Sequence, residues 1–195
     1  MGKKKVGIPD KAQLKQELKR ERRKLRRREM ISGTIEALLV AGAVTVLAAT
    51  LFVPVMRIDG SSMEPSLHEG ELVVSLRNGK WKKGDIVAFY NNNKVMIKRI
   101  IATEGETVDI DGDGIVYVNE IPLKETYLKN GRPALGKCNI ALPCKVPEGS
   151  VFVMGDNRET SVDSRSIDIG CVSDEQIVSR VTFRIWPISG FGPVD

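Results

Sequence analysis

Hydrophobic residues follow two patterns along the chain, a single long run near the N-terminus and many short runs after it. No residue from Ala37 to Met56 is charged. A helix of about 20 residues, rising about 1.5 Å per residue, crosses a hydrocarbon layer of ~30 Å. The run therefore predicts one transmembrane helix, which we place at residues 35–56.

After residue 57 the hydrophobic positions recur in short segments that are rich in β-branched and aromatic residues and separated by Gly, Asn and Asp. No segment there has the length and period of a second buried helix. The pattern predicts a mainly β fold, with a small, barrel-like domain at residues 57–195 behind the transmembrane helix. The predicted strands are Glu71–Leu76, Asp85–Tyr90, Val95–Thr103, Thr107–Ile110, Ile115–Val118, Ser150–Met154 and Gln176–Trp186.

Charge is distributed unevenly, because the first 29 residues contain 13 Lys and Arg against 4 Asp and Glu, whereas the remainder contains 17 against 21. A basic segment of this kind suits nucleic acid or anionic lipid. Since it leads directly into the apolar run, we expect a lipid bilayer as its partner and no nucleic acid. The bias of Lys and Arg places residues 1–34 in the cytoplasm, as a tail, and residues 57–195 outside it.

A cleaved secretory signal is the alternative interpretation of the apolar run, because a basic segment precedes it and small residues lie at Ala48 and Ala49. The run is longer than the roughly 7 to 15 apolar residues of such a signal, and its lead-in is long. A retained signal-anchor in the cytoplasmic membrane is therefore favoured.

Three cysteines follow the apolar run and none precedes it. Cys138 and Cys144 bracket a short loop, so a disulfide between them is plausible in an oxidising compartment, with Cys171 left over. The cysteines and the one histidine, His68, show no paired metal-ligand spacing. We expect no metal site and no cofactor.

The segment Asp109–Glu120 satisfies the spacing of a calcium-binding EF-hand loop. An EF-hand needs a helix on each side, whereas β-branched and aromatic residues flank this segment on both sides. Asp-Gly steps between such residues are typical of a hairpin turn. The sequence therefore favours a hairpin here over a calcium site.

Candidate chemistry begins at Ser62, which lies in a polar turn set by Gly60 and Pro65 a few residues after the apolar run. A serine nucleophile needs a base. With a single histidine in the chain, the search for that base turns to lysine.

Lys98 lies within the apolar stretch 95–101. An inward-facing lysine there would be desolvated, and its pKa would have to fall by ~2 to 3 units for the amine to be substantially neutral near pH 8. The alternative is that Lys98 faces solvent while Met96 and Ile100 face inward.

A third segment, Gly155–Arg165, follows an apolar strand and alternates acids, hydroxyls and arginines. This composition suits a buried, hydrogen-bonded corner as well as a surface loop. Ser161 is placed to orient a neutral lysine amine. The ion pairs expected to brace the segment are Asp163 with Arg165 or Asp156 with Arg158.

Together these segments resemble the type I signal peptidases, membrane-bound serine proteases that remove signal peptides from exported proteins. The likeness covers the chain from the apolar run to about Trp186. It rests on Ser62-Met63-Glu64-Pro65-Ser66-Leu67, Lys98-Arg99, Gly155-Asp156-Asn157-Arg158 and Ser161-Val162-Asp163-Ser164-Arg165.

The resemblance implies a signal-peptidase-like antiparallel β domain and a role for each matching residue. Ser62 would be the nucleophile, Lys98 the general base and Ser161 the residue that holds the lysine amine. The site would be supported by Asp163, Arg165, Asp156 and Arg158. The substrate would bind as a strand along Ile58, Asp59, Gly60, Met63, Val95, Met96 and Ile97.

The resemblance also implies the partners of the chain. Its substrates would be secretory preproteins, cut after small residues in an Ala-x-Ala-like pattern, and we expect the enzyme to be a monomer. No cofactor is implied.

The chain departs from the family pattern at a few positions. Some members have a serine two residues before the nucleophile whose hydroxyl helps to bind the oxyanion, and Gly60 stands there in this chain. That leaves the Ser62 N–H as the one donor we can assign. The segments 102–106 and 166–169 also differ from the usual pattern, and His68 has no role in the scheme.

Two other functions compete with this interpretation. A Ser-Lys self-cleaving repressor has a similar catalytic domain but is soluble and carries a DNA-binding domain, so the apolar run argues against it. An inactive, membrane-tethered β domain that binds exported proteins would not need Ser62, Lys98 and Ser161 together.

Overall fold

The computed structural model describes residues 11–52, 54–77, 79–128, 133 and 136–194. The chain divides into two compact units, with the division between Leu51 and Phe52. The first unit is helical and the second is built of β-strands.

The helix α1 runs from Lys11 to Phe52. It continues the predicted apolar helix back into the basic tail as one element, and by length and composition it could cross a membrane. Apolar side chains such as Leu38 and Leu39 are exposed along it. Because Pro54 cannot donate a helical hydrogen bond, the helix ends before the predicted boundary at residue 56, and the last residues of the apolar run enter a strand.

Twelve strands make up the described part of the second unit, and all of their pairings are antiparallel. In chain order they are β1 Val55–Arg57, β2 Leu72–Leu76, β3 Ile86–Asn91, β4 Lys94–Thr103, β5 Thr107–Ile110, β6 Val116–Val118, β7 Ile121–Pro122, β8 Cys144–Lys145, β9 Ser150–Met154, β10 Val172–Ser173, β11 Ile177–Trp186 and β12 Gly192–Pro193.

The strands form a large sheet and a small one. The large sheet has the order β1-β2-β11-β3-β4-β9-β10, with β12 paired to β11, and the small sheet has the order β7-β6-β5-β8. The prediction of a mainly β, antiparallel fold is confirmed. Strand β4 matters most for the site, because it lies inside the large sheet between β3 and β9.

The turn between β5 and β6 is organised by Asp111. Its carboxylate accepts the N–H groups of Asp113 at 3.0 Å and Ile115 at 2.9 Å, and also the hydroxyl of Tyr117 at 3.2 Å. The two strands pair directly, with Ile110 opposite Val116. The predicted hairpin is confirmed, and strands rather than EF-hand helices flank the loop.

Three buried apolar clusters hold the second unit together. One joins the small sheet to the large sheet, with Val108 and Val116 packed in the same cluster as Phe152. A second lies among β3, β4 and β9. The third contains Met63 and Leu67 together with residues of β2, β3 and β11. This third cluster anchors the turn that carries Ser62.

The three cysteines are all free thiols, so Cys138 and Cys144 do not form the disulfide that their spacing allows. Cys144 packs instead on the same apolar cluster as Cys171. Burial and the neighbouring Cys144 raise the pKa of Cys171 to about 12. The sequence spacing pointed to a pair within the loop, whereas the packing of β8 brings Cys144 to a thiol that is 27 residues away in the chain.

Candidate active site

The turn that carries Ser62 is fixed from both of its sides. Met63 and Leu67 are buried in the core, and the N–H of Leu67 donates to the carbonyl of Met63 at 2.9 Å. The N–H of Asn157 donates to the carbonyl of Ser62 at 3.1 Å. Gly60 has φ of 78°, a conformation that glycine adopts without strain. The Ser62 side chain is therefore held in one place.

Lys98 projects from β4 toward Ser62. Its side chain is 3% exposed, and its Nζ lies 2.7 Å from Ser62 Oγ, within hydrogen-bond distance. The alternative orientation, with Lys98 in solvent, is wrong for this structure. The serine turn and strand β4 thus bring together two residues that are 36 positions apart in the chain.

Burial lowers the pKa of Lys98 from its ordinary value of 10.5 to about 8. The carboxylates of Asp163 and Asp156 act in the opposite direction and favour the ammonium, while the guanidinium of Arg165 again lowers the pKa. Desolvation is the largest of these effects, since it removes water that would stabilise the charged amine.

Both carboxylates near Lys98 are themselves paired with arginines. Arg99 donates to Asp156 with Nε at 2.9 Å and Nη2 at 2.8 Å. Arg165 forms the same bidentate contact with Asp163, and its Nε and Nη2 each donate at 2.8 Å. All four side chains are buried. Pairing offsets the negative charge that would otherwise raise the pKa of Lys98 further.

The predicted alternative pair, Asp156 with Arg158, is not formed. Asp156 is taken by Arg99, which reaches it from β4, and Arg158 forms a buried ion pair with Glu125 instead. Arg158 also donates from Nε to the carbonyl of Gly155 at 3.1 Å. The pairing of Asp163 with Arg165 is the one of the two alternatives that the structure contains.

Ser161 is buried beside the site, but its hydroxyl has no hydrogen-bond partner among the described residues. It therefore makes no hydrogen bond to Lys98 in this arrangement. Burial raises the pKa of Asp163, but the Arg165 guanidinium and the Gly155 N–H outweigh it, so this pKa lies below its ordinary value.

A groove of about 400 Å³ opens beside Ser62 and Lys98. All seven residues predicted to bind substrate line it, together with Met56 and Arg57, which the sequence reasoning missed. The full lining is Met56, Arg57, Ile58, Asp59, Gly60, Ser62, Met63, Val95, Met96, Ile97 and Lys98.

Other contributors to the site also escaped the sequence reasoning. Asn157 holds the serine turn through its backbone N–H and through its side-chain amide, which donates to the carbonyl of Ser61 at 3.2 Å. Arg99 was seen only as the neighbour of Lys98, although it carries the ion pair to Asp156. Glu125 lies in a segment without any recognised motif, so no local signal marked it.

The arrangement contains a serine hydroxyl against a buried lysine of lowered pKa, beside an open groove. Residues 31–186 match the family described as signal peptidase, peptidase S26. The chain belongs to the signal peptidase family S26. Membership of this family confirms the expectation of a serine endopeptidase, and the matched residues include both Ser62 and Lys98.

Relatives of this signal peptidase family resemble the chain over most of their length. It is 33% identical over 173 residues to signal peptidase I of Bacillus licheniformis, covering 83% of this chain and 91% of the relative. It is 35% identical over 175 residues to signal peptidase IB of Staphylococcus aureus strain COL, covering 80% and 90%.

A solved structure, signal peptidase I from Enterococcus faecalis V583, is 29% identical, with a TM-score of 0.43. The likeness covers 53% of this chain and 97% of that one.

Gly155 gives the most direct test of packing at the site. A methyl group at this position would lie 2.3 Å from Ser161 Oγ and 2.5 Å from the Ser62 carbonyl oxygen. Since a shift of about 1 Å in a catalytic group can cost a hundredfold, we expect Gly155→Ala to lower kcat/KM for a peptide substrate by about that factor.

The matched control for this substitution is Gly112→Ala, because a methyl group at Gly112 meets no atom within 4 Å. This variant should keep wild-type activity. Wild-type kcat/KM for Gly155→Ala would show that the close approach of Gly155 to Ser62 does not matter for the site.

Proposed function

We propose that Ser62 and Lys98 are the nucleophile and the general base of a signal peptidase that cuts exported preproteins. The observation that supports this pairing is the distance of 2.7 Å between Lys98 Nζ and Ser62 Oγ, combined with a lysine pKa lowered to about 8. A general base works best when its pKa lies near the working pH and when it is within hydrogen-bond reach of the proton it removes.

The reaction follows from the movement of one proton. Neutral Lys98 accepts the proton of the Ser62 hydroxyl as Oγ attacks the carbonyl carbon of the scissile bond. The resulting ammonium then donates this proton to the leaving amine, which departs and leaves an acyl-enzyme on Ser62. Lys98 next removes a proton from the water that hydrolyses the acyl-enzyme.

The backbone N–H of Ser62 is the donor that we assign to the oxyanion. One such donor contributes about 3 to 4 kcal/mol to transition-state stabilisation in a well-formed site. Gly60 has no hydroxyl to add a second donor, and the space around its Cβ position is open, with no heavy atom within 4 Å.

The substrate would add a strand beside β4. Strand β9 pairs with β4 from Arg99 onward, so among the described strands none lies along that edge of Val95–Ile97. An extended peptide can pair with such an open edge through its main chain while the groove selects its side chains. We propose that small side chains, in an Ala-x-Ala-like pattern, fit this groove best.

The length and composition of helix α1 support a membrane location for the proposed enzyme. We propose a cytoplasmic tail at residues 1–34, a signal-anchor at residues 35–56 and a catalytic domain at residues 57–195 outside the cytoplasm. We propose that this enzyme acts as a monomer at the outer surface of the bilayer. Secretory preproteins are its substrates.

The proposed pair predicts the behaviour of two variants. Ser62→Ala removes the nucleophile and Lys98→Met removes the base, so each should lower preprotein cleavage by a thousandfold or more, since residues that act as a unit fail together. The measurement is cleavage of a preprotein by detergent-solubilised enzyme, with sequencing of the new N-terminus.

Lys145→Met serves as the control, because Lys145 is exposed on the small sheet. This variant should cleave at the wild-type rate. Cleavage that survives either Ser62→Ala or Lys98→Met would rule out the proposed pair.

The lowered pKa of Lys98 also predicts a pH dependence. Below pH 8 the amine is protonated and cannot act as a base, whereas above pH 8 it is neutral. We therefore expect kcat/KM, whose pH profile reports groups of the free enzyme, to rise tenfold per pH unit on the acid side and to level off as the pH passes about 8.

The single histidine provides the control for this profile. His68 is exposed and contacts Glu71 rather than Ser62, so His68→Ala should leave the profile unchanged. A limb near pH 6.5 that disappears in His68→Ala would contradict a lysine base.

A further inference from the structure

Glu125 and Tyr127 lie in the segment that follows β7, outside the recognised motifs. Their side chains reach the loop from Gly155 to Arg165. The Glu125 side chain is 4% exposed and accepts hydrogen bonds from both terminal nitrogens of Arg158. The hydroxyl of Tyr127 donates to Glu125 Oε1 at 2.8 Å. Burial and the Glu125 carboxylate raise the pKa of Tyr127, so this phenol stays protonated and remains a donor.

Tyr127 also contacts the other arginine of the site. The guanidinium carbon of Arg99 lies 4.1 Å from the centre of the Tyr127 ring, a distance typical of a cation–π contact. Arg99 is the residue that holds Asp156 with two hydrogen bonds. A single tyrosine therefore touches Arg99 through its ring and reaches Arg158 through Glu125.

Arg158 continues this set of contacts toward the nucleophile. Its Nε donates to the carbonyl of Gly155, and its own carbonyl accepts a hydrogen bond from Arg165 at 3.0 Å. Gly155 in turn lies against the Ser62 carbonyl. Contacts that begin at Glu125 thus end at the backbone of the catalytic serine and at the arginine of the Asp163 pair.

We infer that Glu125 and Tyr127 are positioning residues. They stabilise the two buried ion pairs beside Lys98, Arg99 with Asp156 and Arg165 with Asp163, and so keep water away from the Lys98 amine beside Ser62. This inference rests on the proposed function of the Ser62–Lys98 pair. Neither residue touches the reacting atoms. Their action passes through Arg99 and Arg158, both of which are buried.

The expected sign of the effect follows from the charges that face Lys98. Those charges are the carboxylates of Asp163 and Asp156 and the guanidinium of Arg165. If Tyr127 no longer supports Arg99, Asp156 loses part of its compensation and its charge favours the ammonium of Lys98 more strongly. Entry of water acts in the same direction, so losing this support should raise the pKa of Lys98.

The test compares Tyr127→Leu, which removes both the ring and the hydroxyl, with Tyr127→Phe, which keeps the ring over Arg99. The matched controls are Tyr117→Leu and Tyr117→Phe. Tyr117 also donates its hydroxyl to a carboxylate, that of Asp111, but it lies in the hairpin and contacts neither arginine. Glu125→Gln is a further variant, which keeps the size of the side chain and removes its charge.

The readouts are kcat for a preprotein as a function of pH, the melting temperature, and the titration of Lys98 by NMR of labelled lysine. For Tyr127→Leu we expect kcat to fall about tenfold or more, because a displaced loop backbone would misplace Ser62. We also expect the acid limb and the Lys98 titration to move to higher pH by about 0.5 unit or more. Tyr127→Phe should recover most of both. The Tyr117 variants should lower the melting temperature without moving either titration.

Several outcomes would overturn the inference. One is a wild-type kcat together with a wild-type acid limb of the pH profile in Tyr127→Leu. Another is an equal shift of the acid limb and of the Lys98 titration in Tyr117→Leu, which would indicate a general loss of stability of the domain. If Tyr127→Leu does not fold, Glu125→Gln provides the test. A wild-type kcat and a wild-type acid limb of the pH profile in Glu125→Gln would then rule out the positioning role. If the wild-type enzyme cleaves no preprotein, the proposed function fails, and the Lys98 titration in the variants still tests the positioning role.

Discussion

The burial of the Lys98 amine beside Ser62 is the constraint on which the rest of the site depends. Moving the lysine pKa from 10.5 to about 8 costs roughly 3 kcal/mol at about 1.4 kcal/mol per unit. The fold has to supply that free energy, because a solvated lysine would stay charged and could not accept the serine proton. The neutral amine that the proposed base requires at moderate pH is therefore a property of the whole domain rather than of one residue.

Two features of the fold supply this environment. The first is strand β4, which lies inside the large sheet and carries Lys98 and Arg99 as neighbours with both side chains buried. The second is the loop from Gly155 to Arg165, whose acids raise the pKa of Lys98 and would raise it further if they were unpaired. Arginines from β4 and from the loop itself neutralise those acids. Because so many charges are buried, removing one member of an ion pair would leave its partner buried and uncompensated.

Much of the architecture could be predicted from the sequence because it depends on local patterns. All seven predicted strands correspond to β2–β6, β9 and β11, with ends that agree within one residue. The strands that were missed, β1, β7, β8, β10 and β12, have only two or three residues each, too few for a period to emerge. The hairpin at Asp111 was predictable because turn chemistry is also local.

The contacts between distant segments were harder to predict. Charged residues in the loop have several possible partners, and the choice of Arg99 for Asp156 and of Glu125 for Arg158 depends on which strands lie side by side. The same reason explains why Cys144 approaches Cys171 rather than Cys138. The groove residues were predicted through the family resemblance, but Met56 and Arg57 belong to it because β1 continues directly into its wall.

The titration of Lys98 in the wild-type enzyme tests the central claim most directly. Lysine labelled at the ε-carbon, with Lys98→Met used to assign its signal, reports the protonation of this one amine as the pH changes. The expected midpoint lies near pH 8. A midpoint near the ordinary lysine pKa of 10.5 would contradict the proposed mechanism, because Lys98 would then be charged at the pH where that mechanism requires Ser62 to lose its proton.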